Sequence, residues 1–243
     1  MTAGERTRAA GTQGSAAGPL LLADISGRTI FLSSVTDAHR EDAFADGNVP
    51  DAYALVSSLL DGIIESVTPA FTLARIEGDA VFAFAPSSDG MPRGAAVLDC
   101  LAACDAGFRG RLTGARTVWS CRRDACAGVD TLDLTFVLHA GPFVIQQMRS
   151  GTELVGPEVV MVHRLLKDRA VDVVGVRPYA LIMEAAAEML DVPFADSLPL
   201  MEQYEHLPPI GMRVILLDRS AGESPGDHDA AAPVPTRVVA MDR

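Results

Sequence analysis

The stretch "PLLLADIS", residues 19–26, constrains the fold more than any other. Its apolar residues do not alternate with polar ones, so both faces of the strand are covered, and it belongs inside a sheet with material above and below. That buried strand carries a carboxylate near its end, Asp24, followed after one residue by Ser26-Gly27. A second carboxylate is placed similarly: in "LARIEGDAVFAFAP", residues 73–86, Asp79 follows Gly78 between two apolar runs, a hairpin-type turn signal. Two acidic side chains, each at a strand boundary and within three residues of a glycine, call for a chemical explanation.

The other elements follow from periodicity. Residues 26–34 read as a short helix with Ser26 placed to cap it. Residues 51–67 carry Leu55, Leu59 and Ile63 in one row and Val56, Leu60, Ile64 and Val67 in the next, an amphipathic helix with Asp51 at its start. A further helix is expected over 92–108 and an irregular segment over 109–130. A second hairpin is expected over 132–148, folding at Ala140-Gly141, then helices over 157–169 and 178–190, and a late strand over 212–218. The order is an α+β plan: an antiparallel or mixed sheet with helices on one face, near the ferredoxin-like split βαβ arrangement. Residues 1–18 read as a flexible tail and the stretch after Arg219 as a second one. The core domain is expected over 19–190, with an extension over 191–219.

Composition limits the partners. The formal net charge of −12 argues against broad, sequence-independent nucleic-acid binding. A phosphate ligand then needs local cations or metal ions. No apolar run approaches the ~20 residues of a membrane span, and the 4 cysteines read as reduced thiols of a cytoplasmic protein. Cys100 and Cys104, and Cys121 and Cys126, are spaced unlike the usual tight zinc knuckle, so structural zinc is not expected.

Four stretches in order, "LLLADISGRTIFL", "ARIEGDAVFAF", "FVLHAGPFV" and "TELVGPEVVMVHRLLK", resemble the class III nucleotidyl cyclases, the adenylate/guanylate cyclase homology domain. They look closest to a divergent bacterial branch of that group. The resemblance implies that Asp24 and Asp79 hold two divalent metals, Mg²⁺ or Mn²⁺, which suits hard carboxylate donors and the transfer of a nucleoside triphosphate's phosphorus. Gly27 would let the phosphates approach the turn closely. Arg75 and Glu153 fall where the family reads the base, and Arg164 where it meets charge on the transferring phosphoryl group. Val160 departs from the pattern, standing where active members carry an asparagine that orients the ribose. Arg75 stands for a lysine in a chain whose 20 basic residues include the single lysine Lys167.

The family also implies a dimer, a homodimer or a heterodimer with another cyclase-like chain, whose sites form between chains. The function expected from these residues is triphosphate binding with divalent metal and weak or altered phosphoryl transfer. The alternatives are an inactive nucleotide-sensing or partner-regulating domain, and an enzyme repurposed to other phosphate or small-molecule chemistry.

Overall fold

A computed structural model describes residues 13–217 except 42–43, 45–46, 87–90, 120, 122, 150, 166–177, 196 and 204–208. Most of both expected tails, with Lys167 and the end of the helix expected over 157–169, lies outside the described residues.

The chain runs through β1 (Gln13–Ser26), α1 (Arg28–Ala38), α2 (Asp51–Val67), β2 (Thr72–Glu77), β3 (Ala80–Phe84) and α3 (Ala95–Val118). A short α4 (Asp124–Ala127) and a 3₁₀ turn (Gly128–Thr131) lead into β4 (Asp133–Met148) and β5 (Gly151–Val155). The chain continues through α5 (Pro157–Leu165), β6 (Tyr179–Met183), α6 (Glu184–Leu190), β7 (Leu198–Glu202) and β8 (Ile210–Leu216).

These strands form one mixed sheet in the order β2-β3-β1-β4-β6-β8-β7, with β5 also paired to β4. β4 and β6 are parallel, and the other pairs are antiparallel. The "PLLLADI" strand lies between β3 and β4, and Leu20, Leu21, Leu22 and Ala23 are all fully buried, as a run without alternation requires. Leu21, Ala23 and Ile25 pack with α1, α2, α3 and α6, whereas Leu20 and Leu22 pack with Val159, Val162 and Leu165 of α5. The helices are therefore on both faces, not on one: α5 covers the side opposite the other helices.

The structure departs from the sequence expectations at several points. β1 begins at Gln13, so residues 13–18 are strand, paired to β4 from Gln13↔Gln146 onward. Within the stretch expected as an extension over 191–219, β8 pairs with β6 and β7 with β8 in the same sheet. Residues 178–190 split into strand and helix. "YALIM" is a short apolar run whose periodicity cannot separate a buried strand from a buried helix.

α3 continues to Val118 despite Gly107, Gly110 and Gly114, because tertiary contacts hold its second half to α2. Arg111 reaches Glu65 at 2.5 Å and Ser58 at 3.3 Å. Residues 132–148 form one continuous strand. Gly141 does not turn the chain; it admits α5, since a Cβ there would lie 2.6 Å from Glu158 Cγ. Beside it the buried His139 Nε2 contacts Glu158 Oε2 at 2.5 Å, tying the helix to the strand.

Candidate functional site

The strand register brings the backbones of the two aspartates side by side. Asp24 pairs with Ala80 of β3, and the backbone N–H of Ile25 donates to the Asp79 carbonyl at 3.0 Å. One register step then separates the two residues, which places their Cα atoms on the order of 6 Å apart. Gly78 takes the positive φ, 67°, that the turn between β2 and β3 demands. Gly27 takes φ 84° at the start of α1, and a Cβ on it would lie 2.8 Å from the Thr131 carbonyl oxygen. Glycine is thus required at residue 27 by its own backbone and by its neighbour's. Ser26 does not cap α1. Its hydroxyl lies 3.2 Å from that of Thr135, across the β1–β4 pair.

A cation already sits on this site. Arg28 Nε lies 3.5 Å from Asp79 Oδ2, and Arg28 Nη1 donates to the Gly78 carbonyl at 3.1 Å. Nε is shielded from solvent and makes no hydrogen bond, so its contact with Asp79 is Coulombic. The two side chains are 25% and 30% exposed. The carboxylate donors suit a hard divalent metal, but at Asp79 a metal has to displace or share with this guanidinium. The arginine stood in plain view in "DISGRTIFL", but its aim at Asp79 depends on the hairpin turn closing over it.

The residues expected to read the base also meet. Arg75 on β2 forms ion pairs with both Glu153 on β5 and Glu77 on its own strand. Glu77 in turn contacts His163 Nε2 at 2.8 Å, and His163 Nδ1 donates to the Val159 carbonyl at 2.6 Å. The His163 ring stands edge-on to Phe82, 4.9 Å between centroids, and the Arg75 guanidinium lies 5.8 Å from the same ring. Sequence reasoning missed Glu77, although its place two residues after Arg75 puts both on one face of a strand. Beside Arg164, His163 joins α5 to β2 through Glu77.

Arg164 is exposed on α5. Together with Arg75, Val160 and His163 it lines a cavity of about 370 Å³ that includes neither Asp24 nor Asp79. Val160, 53% exposed, presents an apolar surface to that cavity. A larger cavity of about 510 Å³, between α3 and β8, holds none of these residues.

The cysteines also divide differently from their spacing. Cys104 is buried against the α2–α3 core and its thiol is pushed up to about 12 by burial. Cys121 and Cys126 instead converge on His39 at the end of α1, a grouping with no signal in a sequence separation of more than 80 residues.

Comparison with known proteins agrees with this architecture. Residues 56–174 match a family model described as "Protein of unknown function (DUF2652)". A curated relative, "Uncharacterized protein Rv2561/Rv2562" of Mycobacterium tuberculosis, is 30% identical over 136 residues. That match covers 56% of this chain and 60% of the relative, so the chain spans less than two thirds of its relative's length.

Among solved structures, the adenylyl cyclase CyaB from P. aeruginosa superposes with TM-score 0.55 at 14% identity, covering 87% of this chain and 100% of that one. The guanylyl cyclase Cya2 gives 0.55 at 13%, covering 88% and 98%. A class III adenylyl cyclase-like ATP-binding protein from Pseudomonas aeruginosa gives 0.51 at 14%, covering 74% and 36%. The chain therefore has the fold of the adenylyl and guanylyl cyclase catalytic domains, an α+β mixed sheet with helices packed on it. Among the described residues, no helix is long and apolar enough to cross a membrane.

Proposed function

We propose that this chain is a cyclase-like protein that binds a nucleoside triphosphate with divalent metal and turns it over weakly. The observation that carries the reading is the backbone adjacency of Asp24 and Asp79 near the ends of paired strands, next to a glycine-started helix, in a cyclase fold. Asp24 and Asp79 would hold Mg²⁺ or Mn²⁺, which when bound supplies charge neutralisation for the phosphates. Backbone N–H groups at the start of α1, which follows Gly27, would be available to phosphate oxygens. Arg164 would meet charge on the phosphoryl group, while Arg75 and Glu153 would hold the base edge between a donor and an acceptor.

A dimer fits this division of labour. The cavity with Arg75 and Arg164 contains no metal carboxylate, so a complete site would need Asp24 and Asp79 from a second chain. Exposed Ile76, Met148, Val155 and Val160 offer apolar surface around Arg75, Glu153 and Arg164.

One observation favours binding over turnover, and with it the second reading of a nucleotide-sensing domain. Val160 offers no hydrogen bond to a ribose, and loss of one such donor costs on the order of 10²–10³ in rate. Arg75 is paired with Glu77 and Glu153 of its own chain, so a base edge would have to replace the Arg75–Glu153 contact, which weakens base selectivity.

The test is calorimetry with ATP and GTP, with Mn²⁺ and with EDTA, alongside assays for pyrophosphate and new nucleotides. Binding that needs Mn²⁺ and is lost in Asp79→Asn supports the reading. Equal binding in EDTA refutes the metal anchor.

A further inference from the structure

We propose that His39 Nε2, Cys121 Sγ and Cys126 Sγ form a binding site for a thiophilic divalent metal, zinc foremost, that staples the end of α1 to the segment leading into β4. The site shares no residue with the cyclase-like site and does not depend on that reading.

Geometry carries the proposal. The three ligand atoms all lie within 4.8 Å of one another. His39 Nε2 is 3.3 Å from Cys126 Sγ and 3.4 Å from Cys121 Sγ. Tetrahedral zinc with ordinary Zn–S and Zn–N bonds sets its sulfur and nitrogen ligands about 3.5 Å apart, so the atoms already stand near the edges of a coordination tetrahedron. The donor set is chemically selective: two thiolates and an imidazole suit zinc, whereas Mg²⁺ and Mn²⁺ seek the carboxylates of the other site.

The surroundings favour a held ion. Cys126 is buried while Cys121 and His39 are half-buried, which leaves one side open for entry and for a fourth ligand, a water or a carboxylate. The Asp51 carboxylate at the start of α2 acts on both thiols. Without metal the pair is polarised. A hydrogen bond from Cys126 holds the Cys121 thiol below its usual range, and burial pushes Cys126 up to about 12. Binding a divalent ion releases the thiol protons and replaces one shared proton by two metal–sulfur bonds.

The staple has a structural consequence. Trp119 stands edge-on to Phe31 of α1, 6.1 Å between centroids, so the segment already leans on that helix. Beyond Cys126, the 3₁₀ turn brings the Thr131 carbonyl against Gly27. The ion would thus clamp both ends of α1: His39 directly, and the Gly27 turn through Thr131.

The test uses the full chain purified under reducing conditions. Inductively coupled plasma mass spectrometry should find one zinc per chain. Cobalt substitution should give thiolate-to-metal charge-transfer bands and the intense visible bands of a tetrahedral site. Cys121→Ser with Cys126→Ser should lose the ion and those bands, whereas Cys100→Ser with Cys104→Ser and Asp79→Asn should keep both. His39→Cys, which restores a soft donor, should retain the ion if the serine pair fails to fold. Wild-type chain that binds neither zinc nor cobalt overturns the proposal. So does a chain that keeps the ion after loss of both thiols. A mass two hydrogens lighter without reductant, with no metal bound under reducing conditions, overturns it in favour of a redox pair.

Discussion

Replacing Arg28 with glutamine should tighten divalent-metal binding at Asp79. The guanidinium Nε stands 3.5 Å from Asp79 Oδ2, and its charge occupies the place a second cation needs. At that distance the attraction is about 1.2 kcal/mol in a water-like dielectric and about 4.7 kcal/mol at an effective dielectric near 20. Both groups are partly exposed, so screening by water and salt favours the lower figure. About 1.2 kcal/mol corresponds to roughly an eightfold change in an equilibrium constant. Mn²⁺ should therefore bind Arg28→Gln about 5- to 10-fold more tightly than wild type, read by calorimetry or by the free-Mn²⁺ electron paramagnetic resonance signal. Glutamine also gives up the charged donor to the Gly78 carbonyl, so a urea titration checks that the hairpin turn survives. Unchanged or weaker Mn²⁺ binding in a folded variant would refute competition at Asp79. Arg28 would then be a support for the turn, or a phosphate ligand in its own right.

Val160→Asn should raise any cyclase turnover by more than it raises nucleotide affinity, because the added group orients a reacting atom; turnover held at background with binding intact would locate the defect elsewhere. Gly27→Ala should cost about 1–3 kcal/mol in urea unfolding from the left-handed backbone alone, with more from crowding against the Thr131 carbonyl. Gly141→Ala should cost about 1–3 kcal/mol in the same assay, since the new methyl must displace Glu158 from beside His139. Stability should fall as pH rises above about 9: Cys104 stays protonated in the fold up to about 12, while its unfolded thiol ionises near the ordinary value of 9.0. The unfolded state then binds fewer protons, so the urea midpoint should drop with alkaline pH, and Cys104→Ala should flatten the slope.

Local pattern was enough wherever one element's own residues decide its state. The two apolar rows of residues 51–67 marked α2 at both ends, because a helix with so regular a stripe buries it against whatever lies beside it. Gly78-Asp79 marked the β2–β3 turn, and an unbroken apolar run marked the central strand. The two aspartates were legible as a pair because each lies at a strand boundary close to a glycine. Non-local partners decided the rest.

Gly141 read as a turn because a glycine's freedom is visible in sequence, while the helix that needs its missing side chain is not. "YALIM" became a strand only because β4 and β8 supply its hydrogen bonds on both edges. The aim of Arg28 at Asp79, the pairing of Arg75 with Glu153, and the convergence of His39 on Cys121 and Cys126 join residues roughly 50 to 90 positions apart. Sequence supplies the charge, softness and reach of such side chains. Which of them meet is set by strand register and helix packing, and through those meetings the fold arranges its ion pairs and its metal ligands.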